Sequence, residues 1–253
     1  VVLAGSRGAS AAAIPMASGL VDAEVLHRLP DNPGAGGAEV PMVRVSRAML
    51  HRWDPEHLTI PALSSALDAA VAWRALAAPA LSSSEGWHVR FGRELNATDD
   101  AAHFVAFAPG TRADVGPMAP DVGVRGVEVR EPPSRGVLPV VDGRHLRPFG
   151  VDLAAIGRAI ARDAAAKLLD GGSGYERDRV CYRDGAGVSN RLTLIAARLP
   201  AGVVSTHTVF CAKATFTPTE TWCLVGLLNS LVANYLVRLQ MTTHVTTALM
   251  ARL

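Results

Sequence analysis

Lysine is almost missing from this chain: Lys167 and Lys213 stand against 23 arginines in 253 residues. A formal charge of +2 and a pI near 8.6 exclude a histone-like polycation. The excess of alanine, arginine and glycine equally fits a GC-rich genome. Cysteine is scarce too: Cys181, Cys211 and Cys223 are odd in number and widely spaced, which reads as reduced packing residues and a cytoplasmic setting. No apolar run reaches the roughly 18 uninterrupted residues of a membrane span, so no membrane is expected as a partner. Val1-Val2-Leu3 has neither methionine nor the charged head of a signal peptide, so the chain reads as a fragment of something longer. The eight histidines include no pair at metal-ligand spacing, and there is no C-x-x-C, G-x-S-x-G or P-loop, so neither a metal site nor a catalytic centre is expected. Acidic residues thin out toward the end: after Asp184 only Glu220 faces Arg191, Arg198, Lys213, Arg238 and Arg252. That local positive balance favours an anionic partner.

Half of the residues are apolar, enough for a large core. Thr217-Pro218-Thr219-Glu220 has the form of a capping box, and Trp222, Val225, Leu228, Val232, Tyr235, Leu236 and Leu239 follow at helical spacing, predicting one helix over 217–240. Before it, residues 191–198 and 203–214 read as a β-hairpin turned by Pro200-Ala201-Gly202. Further upstream, helices are predicted over 62–78 and from the cap Asp152 to about Leu168. Strands are predicted at 87–91, 103–107, 136–141 and 179–183. The sum is an α+β chain, with residues 1–85 as the tail of a preceding region plus a connecting helix, and 86–253 as a binding domain.

Glycine clusters at Gly34-Ala35-Gly36-Gly37 and Gly171-Gly172-Ser173-Gly174 lack the strand before and helix after that a phosphate cradle requires. Residues 109–135 read as a long irregular arm. Within it Glu131-Pro132-Pro133-Ser134 departs from the Asp/Asn-Pro-Pro-aromatic motif of amino-group methyltransferases. Its serine offers no ring to stack on a flipped base. Three polar turns are better candidates. Arg90 and Arg93 precede a polar turn through Asp100, where ion pairs to Glu94 and Asp99 are the competing account. Asp142-Gly143 presents Arg144, His145 and Arg147, with Leu146 and Phe149 inward. Arg183, Asn190 and Arg191 flank a glycine loop. Arginine and asparagine make bidentate contacts to guanine and adenine in the major groove.

The motifs Trp87 to Asp100, Val140 to Phe149, Cys181-Tyr182-Arg183-Asp184, Ser205 to Phe210, and Gly226 to Leu231 with Asn234-Tyr235 stand in an order that resembles the C-terminal target-recognition region of TaqI-like N6-adenine DNA methyltransferases. That family includes phage-defence and combined restriction-modification enzymes, and the likeness covers about residues 41–253. It implies a domain that grips double-stranded DNA beside an upstream catalytic domain, which carries an Asn-Pro-Pro-Tyr motif and uses S-adenosylmethionine. This chain lacks that half, so it is expected to hold no cofactor and to be inactive alone. Arg93, Arg144, Arg147, Arg183 and Arg191 are the expected phosphate or guanine contacts, Asn190 the adenine contact, and His145 a further DNA-binding residue on the same turn as Arg144. Thr206, His207, Thr243 and His244 are auxiliary polar contacts. The alternative is a protein-interaction module of a restriction or phage-defence complex, with the arginine turns merely solvated.

Overall fold

A computed structural model describes residues 12–20, 22, 24, 27, 42–107, 136–169, 173–187, 190–241 and 243–253. Residues 109–135, with Glu131-Pro132-Pro133-Ser134, and the glycines at 34, 36, 37, 171 and 172 lie outside these. The chain divides after Ala80 into two units.

In the first unit β1 (Ala13–Met16) pairs antiparallel with β2 (Val43–Ser46), and β2 runs straight into α1 (Arg47–Trp53). Ser46 makes that switch possible: its hydroxyl accepts the Met49 amide at 3.1 Å and so satisfies an orphan donor of the first turn. Val43, Val45, Met49, Leu50 and Trp53 are buried. The predicted helix over 62–78 is α2 (Ala66–Ala75), capped by Ser65. Only Ala72 of it is buried, while Leu67 and Val71 face outward.

The second unit is built on two four-stranded sheets. Its strands are β3 (Phe91–Gly92), β4 (Phe104–Ala106), β5 (Val137–Val141), β6 (Leu146–Arg147), β7 (Gly150–Val151), β8 (Arg158–Ala161), β9 (Arg179–Arg183), β10 (Ala196–Leu199), β11 (Val204–Ser205) and β12 (Val209–Ala212). Its helices are α3 (Arg162–Leu168), α4 (Pro218–Leu228), α5 (Leu231–Arg238) and α6 (Thr247–Arg252). One sheet runs β10-β9-β12-β3, all antiparallel. The other runs β11-β5-β8-β4, with β11 parallel to β5. The fold is thus mixed α+β, as the sequence implies.

Strand β9 is central because both of its faces are apolar. Val180 and Tyr182 pack with Phe210, Ala212 and the helical residues Leu224, Val225, Leu228 and Val237. Cys181 points the other way, joining Cys211, Ala197 and Leu199 against Val141, Leu146 and Ile156. The second sheet has its own core of Leu138, Val140, Ile160 and Val204, closed by Ala165 of α3.

Three expectations are corrected here. The predicted hairpin does not form: β10 and β12 both pair with β9, which lies between them, and β11 joins the other sheet. Adjacent apolar runs cannot say that a third strand will insert between them. The helix expected from Asp152 shrinks to a 3-10 turn at Leu153–Ala155, still capped by Asp152, after which the chain becomes β8 and then α3. Ile156 and Ile160 are buried, with Ile160 on a strand. The helix predicted over 217–240 breaks at Asn229-Ser230, because Ser230 caps α5 through the Ala233 amide and Asn229 turns its side chain to the Ala196 backbone. Trp222, placed by spacing on the buried face, is 48 % exposed. The capping box is present in both halves: Glu220 accepts the Thr217 amide and Thr217 accepts the Glu220 amide.

Candidate nucleic-acid interface

Strand β5 ends at Val141, and the next five residues build a rigid polar turn. The Asp142 carboxylate accepts from Arg158 Nη2 at 2.8 Å and from the Thr206 hydroxyl at 2.9 Å, with Arg144 Nη2 at 3.5 Å. Arg158 in turn lies over the Phe104 ring. The Gly143 amide donates to Thr208 Oγ1 at 2.9 Å, and Thr208 Oγ1 also meets Thr206 Oγ1. Arg147 is held by its own turn, with Nη1 donating to the carbonyls of Arg144 and Leu146 and Nη2 3.9 Å from Asp152. Arg183, at the end of β9, lays its aliphatic stem across Gly143: a Cβ added to that glycine would sit 2.8 Å from Arg183 Cγ and 3.0 Å from the Thr208 carbonyl. The structure therefore gathers Arg144, Arg147 and Arg183 around one turn. Leu146 points inward as expected, but Phe149 does not: it is 50 % exposed, at a backbone φ of 70°.

His145 and Thr206 belong to the supports of this cluster. Both are buried, which removes them from direct contact with a duplex. His145 Nδ1 accepts the Asp142 amide at 3.0 Å, so this nitrogen must be unprotonated. Burial, the largest influence on it, holds its pKa below the ordinary 6.5, against the pull of Asp142. A lowered folded-state pKa means that the unfolded chain binds more protons, so this histidine's contribution is full above pH 6.5 and drains away as pH falls below it. We expect urea denaturation at pH 7.5 and 5.5 to show a smaller acid loss of stability in His145→Gln than in the wild type; equal losses would contradict this.

A second cluster surrounds Asp184, the residue after Arg183. Alternation sends its side chain toward the helix-covered face of β9. His244 Nδ1 lies 3.2 Å and Arg93 Nη2 3.8 Å from the same Asp184 oxygen. Arg93 also sits over the Phe210 ring at 4.9 Å, and Phe210 stacks on Tyr182. The Tyr182 hydroxyl is buried without a hydrogen-bond partner among the described residues; its pKa is pushed up by burial and by Asp184. The 243–244 segment is tied to the loop after β9: Ala186 donates to the Thr243 carbonyl, Gly185 bridges to His244, and Val245 donates to the Asp184 carbonyl. Asp184 donates its own amide to the Thr208 carbonyl, so Thr208 links the two clusters.

Asn190 and Arg191 are exposed and anchored from behind by Arg238, whose Nη2 donates to both of their carbonyls. His207, between Thr206 and Thr208, accepts the Ala97 amide through Nδ1 at 3.1 Å. Sequence reasoning picked basic and neutral residues and missed the acids that organise them. Asp142 and Asp184 stood inside the quoted motifs Asp142-Gly143-Arg144-His145 and Cys181-Tyr182-Arg183-Asp184. A carboxylate beside a run of arginines was the available signal.

Among the described residues no group of histidine, cysteine or acidic side chains is placed to hold a metal, and no helix is long and apolar enough to cross a membrane. Cys181 and Cys211 face one another across β9 and β12, fully buried; burial pushes Cys211 up to about 11, which leaves it a packing thiol. Cys223 is exposed on α4. No family model and no curated protein matches the chain.

Proposed function

We propose that this chain recognises double-stranded DNA in the cytoplasm and positions a target adenine for an N6-adenine methyltransferase domain lying elsewhere in the same polypeptide. The observation that supports the reading most is the gathering of Arg144, Arg147 and Arg183 around the Gly143 turn, whose amide is held by Thr208 and whose Asp142 is held by Thr206. A preorganised set of guanidinium groups contacts phosphates at little entropic cost. Arg93, Thr243 and His244 and the anchored Asn190-Arg191 loop supply side chains suited to base edges nearby in sequence. S-adenosylmethionine belongs, under this reading, to the catalytic part of the parent, and no step of methyl transfer is assigned to residues of this chain.

The expected result is salt-sensitive binding to duplex DNA, with the logarithm of affinity falling by roughly 0.9 per logarithmic unit of salt for each phosphate neutralised. Fluorescence anisotropy over a salt series measures it, with the isolated chain and with its upstream part attached. A salt-insensitive affinity, or none for any duplex in either form, refutes the reading. Methyl transfer by the isolated chain would refute the assignment of chemistry to the parent's other part.

One observation favours a second reading, a protein-interaction module of a restriction or phage-defence complex. Trp222, Leu227, Leu231 and Val232 are all exposed on α4 and α5. Apolar residues concentrated in this way suit a protein partner better than a phosphate backbone. Trp222→Ser with Leu231→Ser separates the two: the DNA reading expects an unchanged duplex affinity.

A further inference from the structure

Among the described residues, Arg183 is the cation of its cluster that is left without a compensating charge. Among the described residues no carboxylate lies within 4.0 Å of its guanidinium, whereas Arg144 and Arg158 share Asp142. Its Nε is buried and has no acceptor among the described residues. Arg147 is its charged neighbour at the same turn, tied to the Arg144 carbonyl next to the glycine that Arg183 crosses; burial first, and then Arg147, disfavour the protonated form of Arg183. The protein has thus brought two like charges together and half-buried one of them. An oxyanion between them relieves both penalties, by giving Arg183 an acceptor and by cancelling the repulsion.

We propose that Arg183, lying across Gly143, and Arg147 together hold one tetrahedral oxyanion, which on the DNA reading is a backbone phosphate and not a base edge. The proposal rests on that reading for the source of the anion but not for the site. Base reading needs two parallel N–H groups free at the end of an extended side chain. Arg147 spends Nη1 on the carbonyls of Arg144 and Leu146, and Arg183 has its Nε turned into the protein. Each keeps outward N–H groups for a point contact, which is what a phosphate oxygen takes. Gly143 is part of the device, since any side chain there displaces the Arg183 stem and meets the immobile Thr208 carbonyl.

The test uses the full chain and two probes. With inorganic phosphate against chloride at matched ionic strength, thermal unfolding of the wild type is expected to rise saturably. The rise is expected to be lost in Arg183→Gln, reduced in Gly143→Ala, and kept in Arg183→Lys and in the remote control Lys167→Gln. Circular dichroism confirms that each variant is folded, and Arg147→Gln, also expected to lose the response, carries the test if Arg183→Gln does not fold. With duplex DNA, Arg183→Gln is expected to lower affinity on the order of 10-fold, equally for every sequence, and to reduce the salt slope by about 0.9. A phosphate response that survives Arg183→Gln overturns the site, as does an affinity loss confined to one DNA sequence. Phosphate binding that depends on Arg183 but comes without binding to any duplex keeps the site and overturns the DNA reading instead.

Discussion

Glu94→Ala is expected to destabilise the second unit by about 3–5 kcal/mol, the cost of leaving a buried charge without its partner. Its carboxylate accepts four hydrogen bonds: Arg179 Nε at 2.8 Å, Arg179 Nη2 at 2.9 Å, the Ser205 amide at 2.7 Å and the Ser205 hydroxyl at 2.8 Å. The side chains of Arg179 and Glu94 are 1 % and 5 % exposed, so water screens neither. Arg179 is further bound to the carbonyls of Val203 and Arg177, which holds the guanidinium in place after the acid has gone. The network joins β9 of one sheet to β11 of the other, and the Leu95 amide adds a bond to the Ser205 carbonyl. Against a typical total of about 5–15 kcal/mol, such a loss brings the domain close to unfolding. Urea denaturation reads it directly. The double variant Glu94→Leu with Arg179→Met removes both charges together and is expected to lose less than Glu94→Ala alone. A loss below about 1 kcal/mol for Glu94→Ala would mean that water reaches the pair.

That pair also marks where sequence stops being informative. Glu94 reads locally as a counterion for Arg90 or Arg93, yet its partner lies 85 residues away. Local signals survived: the capping box at Thr217 and Glu220, the cap at Asp152, the strand at 179–183 and the turn at Gly202, which has a backbone φ of 78°. Each depends on residues within a few positions of one another. Pairing partners and helix lengths did not survive, because a short apolar run satisfies a buried strand and a helix face alike. The Leu153–Ile160 stretch shows this, since pairing of β8 with its strand neighbours β5 and β4 decides its conformation. The same division holds for the candidate interface. Which residue types cluster was legible, and Arg144, Arg147 and Arg183 do meet. That His145 and Thr206 turn inward was not, because the acid that claims them is organised by Arg158, a residue no motif contained.

Asn234→Leu is expected to cost about 2–4 kcal/mol and to loosen the loop that carries Asn190 and Arg191. Leucine keeps the branched four-heavy-atom shape of asparagine, although its methyl groups are bulkier and add some strain. What is lost is an acceptor: Asn234 Oδ1 takes the amides of Thr193 and Leu194, both at 2.9 Å, while its Nδ2 donates to the Ser230 carbonyl. Asn234 is 4 % exposed and Thr193 and Leu194 are fully buried, so water cannot replace that oxygen, and each orphaned amide costs about 1–3 kcal/mol. One turn further along α5, Arg238 donates Nε to the Thr193 hydroxyl at 2.7 Å and Nη2 to the carbonyls of Asn190 and Arg191. A single helix face thereby fixes the backbone of 190–194 and leaves the side chains of Asn190 and Arg191 outward. The sequence predicts a strand here, but the amides that would pair in a sheet are satisfied by α5 instead. Hydrogen exchange separates this account from a general loss of stability. In Asn234→Leu the amides of Thr193 and Leu194 should exchange by local opening, well before those of β9, whose Cys181 and Tyr182 pair with strands on both sides. Should they stay as protected as β9, the loop is held by something other than Asn234. If they open early while duplex affinity is unchanged, Asn190 and Arg191 take no part in binding DNA.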